Sequence, residues 1–266
     1  MGKRKAMRAC TAALVAAALG LASGACSSEE AGEARYIRRF VPFPTEWELV
    51  SREPTRPEQG IMEIWEVSQY PSGAQPTLEQ QEAADQLIED CERAVAKHGW
   101  EDFEKARADG FKLLTNDRGG HYYNLEYVTD DIVLDPERPE FLMYYGTPQG
   151  MRLVGFMFYV AELMDRGPQI GGPLTVWHYH LFSRAVCRLG LRRRVRGQDL
   201  LPLAEADERG RCALGVPIHR GPEMLHVWLI DHPLGPFGTR MHIPPEILRE
   251  VLAKRDRALE VRQQGN

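Results

Sequence analysis

The spacing of apolar residues changes once along this chain, and that change limits the folds open to it. From Ala84 to Val95, apolar side chains recur at helical intervals: Ala84, Leu87, Ile88, Cys91 and Val95. Thr77 with Gln80 three residues later has the form of a capping box, and Gly99 is a suitable stop. A second, shorter helix is expected from Glu101 to Ala108, ending at Gly110. From His121 onward the pattern becomes aromatic and β-branched. Strands are expected at Tyr122–Val128, Phe141–Tyr145, Leu153–Val160, Leu174–Phe182 and Leu225–Ile230. Leu153–Val160 is apolar on both faces, as a central strand is. Pro244 and Pro245 then precede a charged helix, Glu246–Val261. Helices, then strands, then one helix predict an α+β fold. N-terminal helices would pack on a mainly antiparallel sheet, or on a cupin-like barrel, with a helix at the C-terminus.

The first residues have a different logic. Lys3, Arg4, Lys5 and Arg8 precede an apolar run from Ala12 to Ala22, followed by Ser23, Gly24, Ala25 and Cys26. Basic, apolar, then small is the order of a secretory signal. The run falls short of the roughly 20 apolar residues that span a bilayer. A cysteine directly after the small residues resembles a bacterial lipobox, although Ser23 stands where Leu is usual. That resemblance implies that Cys26 accepts a diacylglyceryl group and begins the mature chain. Residues 1–25 are thus read as a lipoprotein signal peptide, 26–58 as a polar, proline-punctuated tether, and 59–266 as one α+β domain. The expected location is outside the cytoplasm, held to the envelope membrane by lipid.

The net charge of −5 falls to near −9 once the four basic residues of the leader are removed. A general nucleic-acid role needs a basic face, so none is expected. The single basic cluster (Arg188, Arg192, Arg193, Arg194 and Arg196) reads as a solvated loop or a local anion contact. Beyond Cys10 and Cys26, three cysteines remain. Cys187 and Cys212 flank a polar loop, and an oxidising compartment favours a disulfide between them. Cys91 falls on the apolar helix face and is expected to be a buried thiol.

The most specific local signal is Gly171-Gly172-Pro173-Leu174-Thr175-Val176-Trp177-His178-Tyr179-His180. Residues two apart on a strand share a face, so His178 and His180 point the same way with Cα atoms ~6.6 Å apart. Two imidazoles at that spacing can converge on one Zn, Cu or Fe ion. A transition-metal site wants at least one more ligand. His226, inside the apolar run Met224–Leu229, and His121, at the head of a strand, are the leading candidates. His232 and His242 lie in Pro- and Gly-rich loops, and Glu126 and Asp131 are weaker carboxylate candidates. The bland alternative pairs His178 and His180 with the carboxylates of Asp130 or Asp131. No Gly-x-Ser-x-Gly elbow, P-loop, Rossmann fingerprint or His-Glu-x-x-His motif is present.

Gly172, five residues, His178, one residue, His180 resembles the first cupin motif, whose Glu is replaced here by Arg184 and Ala185. More broadly, HYYN at His121, LDPERPEFLMY at Leu134, GGPLTVWHYH at Gly171 and MLHVWLIDHPLGPF at Met224 resemble blocks of a family of exported bacterial proteins with no assigned activity. That resemblance spans roughly residues 76 to 240 and implies export and a His-rich core. Three functions follow as expectations: a lipoprotein that holds, senses or delivers a transition metal, a metalloenzyme of oxygenase or hydrolase type using the same site, and a metal-free envelope binding or structural lipoprotein.

Overall fold

A computed structural model describes residues 46–54, 61–68, 70–71, 73–114, 120–160, 166–188, 203–207, 209–212 and 216–264. The leader, Cys26 and most of the basic cluster lie outside the described residues.

The fold is α+β. Eight strands follow the order β1 (Glu46–Pro54), β2 (Ile61–Ser68), β7 (Trp177–Arg188), β10 (Met224–Trp228), β6 (Gly150–Tyr159), β5 (Phe141–Thr147), β4 (His121–Asn124) and β3 (Phe111–Leu113). Two short strands, β8 (Leu203–Glu205) and β9 (Val216–Arg220), pair with β7 off this path. Every described pairing is antiparallel. The sheet stays open between β1 and β3, so the cupin-like barrel gives way to an open sheet.

Helix α1 (Leu78–His98) starts at the expected capping box. The Thr77 hydroxyl accepts from the Gln80 amide at 3.2 Å, and the Thr77 amide donates to the Gln80 side chain at 2.9 Å. It ends at Gly99, whose φ of 73° is left-handed. Its buried stripe, Ala84, Leu87, Cys91, Ala94 and Val95, packs on one face of the sheet with Trp100, Leu142, Phe156, Phe158, Trp177, Leu225 and Val227. The Cys91 thiol belongs to this core, and burial pushes it up. Gly172 lies at φ 58°, where a Cβ would meet the Gln80 side chain at 2.3 Å. The Gly-Gly-Pro turn thus leads into β7 pressed against the first turns of α1.

Several segments differ from the sequence expectation, among them the strand expected from Leu174, which begins at Trp177 after a 3-10 turn over Gly172–Leu174. Residues 46–54 were assigned to the tether by their polar residues and prolines, yet they form β1, and the sheet begins at Glu46. Pairing with β2 over Glu46–Pro54 supplies the backbone partners that a tether lacks. The strand expected over Tyr122–Val128 stops at Asn124, whose side chain caps a short helix α3 (Leu125–Val128) by accepting from the Glu126 amide. Helix α2 (Phe103–Ala108) starts at its cap Asp102.

The C-terminal helix α4 (Pro245–Gln264) places Val251 and Leu252 against the second face of the sheet. Its Arg255 is 5% exposed and pairs with Glu92 of α1 and with Glu101, while donating to the Leu229 carbonyl. Cys187 and Cys212 are joined as a disulfide with Cα atoms 5.5 Å apart. No helix among the described residues is long and apolar enough to cross a membrane.

Arg255→Met would take its arginine partner from Glu101 and leave Glu92 with Arg262, and both acids keep some contact with water. The substitution is expected to cost about 2–3 kcal/mol, somewhat less than breaking a fully buried pair. A fall in the urea midpoint with an unchanged slope would meet that expectation, and an unmoved midpoint would oppose it.

Candidate functional site

The second face of the sheet carries the histidines. Partners across an antiparallel pair lie on the same face. Met224 pairs with His178, His226 with Met157, Met157 with Phe141, and His121 with Met143. His180 shares the face of His178 two residues on. All four candidates, His121, His178, His180 and His226, therefore belong to one face, opposite the α1 core.

Strands β4 and β10 are separated by β5 and β6. Three strand steps on a flat sheet hold backbones about 14 Å apart. The Nε2 atoms of His121 and His226 are nevertheless 3.5 Å apart. The sheet must curl around this face for the two rings to meet. Gly155 of β6 permits close approach there. A Cβ at that position would stand 2.4 Å from the Val227 carbonyl oxygen and 2.8 Å from Cε of Met143.

The rings form a chain of contacts. Ring centroids are 5.6 Å apart for His121 and His226, 4.8 Å for His178 and His226, and 5.6 Å for His178 and His180. His178 is wholly buried and His226 is 1% exposed, His121 is buried, and His180 is half-buried. Neither ring nitrogen of His178 meets a hydrogen-bond partner among the described residues. The Val176 backbone lies near enough to favour its protonation slightly, outside hydrogen-bond geometry. Burial pushes His178 well below the ordinary imidazole range, helped by the His226, His180 and His121 rings. Burial does the same for His226, with His121 adding to it and Gly238 opposing it.

The proton on His226 can be placed. Its Nδ1 lies 3.2 Å from the Gly238 carbonyl, which only accepts, so Nδ1 carries the hydrogen. The lone pair is then on Nε2, facing His121. The same carbonyl accepts from Trp228 Nε1 at 2.7 Å. His232 does not join the cluster. Its ring stacks on Trp228 at 4.3 Å, and its Nδ1 accepts from the Leu234 amide. His242 is exposed. His98 bonds Glu137, and His219 bonds the carbonyl of Phe182, two residues along β7 from His180.

The carboxylates considered from sequence do not partner His178 among the described residues, and Asp131 is exposed. Glu126 is exposed and pairs with Arg138, as does Asp130, so the bland pairing of His178 with Asp130 is not the arrangement found. The acid nearest by register is Glu66, which pairs with His178 across β2 and β7 and accepts from the Thr239 hydroxyl at 3.0 Å. Nothing local in the sequence marks Glu66, since its place depends on a strand pairing. Among the described residues, no group of three or more His, Cys, Asp or Glu side chains is placed so that it could hold a metal ion. Comparison with protein-family models, curated proteins and solved structures finds no match to this chain.

The neutral rings make stability depend on pH. Above the ordinary value of 6.5, both folded and unfolded chains keep His178 and His226 neutral, and the fold has its full stability. Below it the unfolded chain takes up protons that the fold refuses, so stability falls, by up to about 2.7 kcal/mol per pH unit for two such groups. Glu140, raised by burial, works in the opposite sense as pH falls toward 4.5. Comparing metal-stripped wild type with His178→Leu/His226→Leu isolates the histidines. Urea titrations over the mildly acidic range should show a flatter dependence in the variant, and parallel slopes would contradict the buried neutral rings.

Proposed function

We propose that this chain is an exported, lipid-anchored protein that holds a transition-metal ion in the histidine cluster. The observation that carries the reading is His178, a wholly buried imidazole with neither nitrogen in a hydrogen bond among the described residues, set among three others. A buried polar group without a partner is costly. Four imidazoles on one face have a shared role in binding an ion that each of them alone lacks.

The chemistry of the donors supports it. Metal ligation needs neutral imidazole, and burial keeps His178 and His226 neutral. The Gly238 carbonyl orients His226 as the outer partner of a ligating histidine does, with the Nε2 lone pair turned toward His121. Two nitrogens bound to one tetrahedral ion at the usual length lie about 3.4 Å apart. The Nε2 atoms of His121 and His226 lie at 3.5 Å. His178 and His180 would complete the set after ring rotations. Such a set is all protein and mostly buried, which favours holding an ion over turning over a substrate. The lipid anchor rests on the order of the leader and on Cys26.

Expression of the full-length chain in a bacterium tests both parts. The membrane fraction should contain the protein, labelled by a radioactive fatty acid, and Cys26→Ser should lose the label and leave the membrane. The purified protein should carry about one transition-metal ion per chain, as four imidazoles suffice for one closed site. His178→Ala/His180→Ala should lose the ion. A wild-type chain that stays metal-free after reloading with Zn, Cu and Fe would sink the metal reading, and an unlabelled wild-type chain would sink the anchor.

A further inference from the structure

We infer that the ion this site prefers is cuprous copper, because the imidazoles are interleaved with buried thioethers. This rests on the metal reading above. Three of the four histidines face a methionine directly across the sheet: His121 faces Met143, His178 faces Met224 and His226 faces Met157. Each pair shares the concave face on neighbouring strands. Met143, Met157 and Met224 are all buried, at 0, 3 and 7% exposure. The Met143 methyl end lies over Gly155, on a strand between those of His121 and His226, where another residue's Cβ would meet it at 2.8 Å.

Thioether sulfur is a soft donor, and soft ligands select Cu(I). Imidazole suits copper and zinc alike, so the sulfurs decide the preference. The competing donor classes are placed elsewhere. Cys187 and Cys212 are bonded to each other, and Cys91 lies in the core on the opposite face. Glu66, the acid across from His178, is half-buried and accepts from the Thr239 hydroxyl. Methionine also fills cores without any ligand role. Leucine of similar volume fills them as well, which is what separates the two roles.

The experiment is a pair of competition titrations on the full-length chain. Cu(I), supplied without oxygen as its acetonitrile complex, is titrated against bicinchoninate, and Zn(II) against a zinc-responsive dye. Wild type is compared with Met143→Leu/Met157→Leu/Met224→Leu and with His226→Ala. Wild type should bind Cu(I) in preference to Zn(II). Removing the sulfurs should weaken Cu(I) by about 10–100-fold while Zn(II) changes by less than about threefold, and His226→Ala should weaken both. Equal losses for both ions, or none for Cu(I), would overturn the copper preference and leave the histidine site standing. A wild-type chain that binds neither ion would remove the metal reading itself. Should the triple variant not fold by circular dichroism, the three single variants decide. None of them weakening Cu(I) more than Zn(II) would likewise overturn the preference.

Discussion

The structure depends on the curl that brings His121 onto His226. These residues stand on strands separated by two others, and only a sheet bent around its second face can close that distance to 3.5 Å between ring nitrogens. The bend has a local cause in Gly155, where the Val227 carbonyl oxygen occupies space that any Cβ would need. It has a supporting cause on the opposite face. There α1 and the aromatic core of Trp100, Phe156, Phe158 and Trp177 fill the convex side. Burial of these large side chains supplies the driving force. Against it, the second face accepts a set of polar rings that a core ordinarily avoids.

That second face sets polar rings among apolar packing. Methionines, Phe141, Tyr159 and Trp228 pack there around the histidines and meet Val251 and Leu252 of α4. The Gly238 carbonyl ties the rings of His226 and Trp228 to the same loop, and His232 stacks behind Trp228. The loop thus fixes which nitrogen of His226 faces inward. Removing the loop's contacts would free the ring before it unfolded the sheet. An ion bound to the folded state alone would stabilise it by mass action, and so offset the cost of burying unsatisfied imidazole nitrogens.

Much of this was legible in the sequence wherever the signal is local. The Thr77–Gln80 capping box, the Gly99 stop and the five-residue apolar stripe specify α1 almost to the residue. Alternation alone puts His178 and His180 on one face. The strand contexts of His226 and His121 also favour them in the sequence over His232 and His242, which lie in Pro- and Gly-rich loops. His121 and His226 join the cluster and His232 and His242 do not, because strand order and curl decide, and neither is a local property. The same limit hid Glu66 and the three methionines, each of which matters through its cross-strand partner. Prolines made residues 46–54 look like a tether, although Pro54 closes a terminal position of β1, where proline is tolerated. The strand expected through Val128 ended early because Asn124 offered a side-chain cap to the next turn.

The central claim is that the four histidines form one binding site. Anomalous X-ray scattering from crystals of the protein loaded with copper or zinc tests it most directly. The account predicts a single strong peak on the concave face, about 2.0–2.1 Å from Nε2 of both His121 and His226, with a nitrogen of His178 turned toward it. A protein with no peak there, or with metal only at His219 or His242, would contradict it.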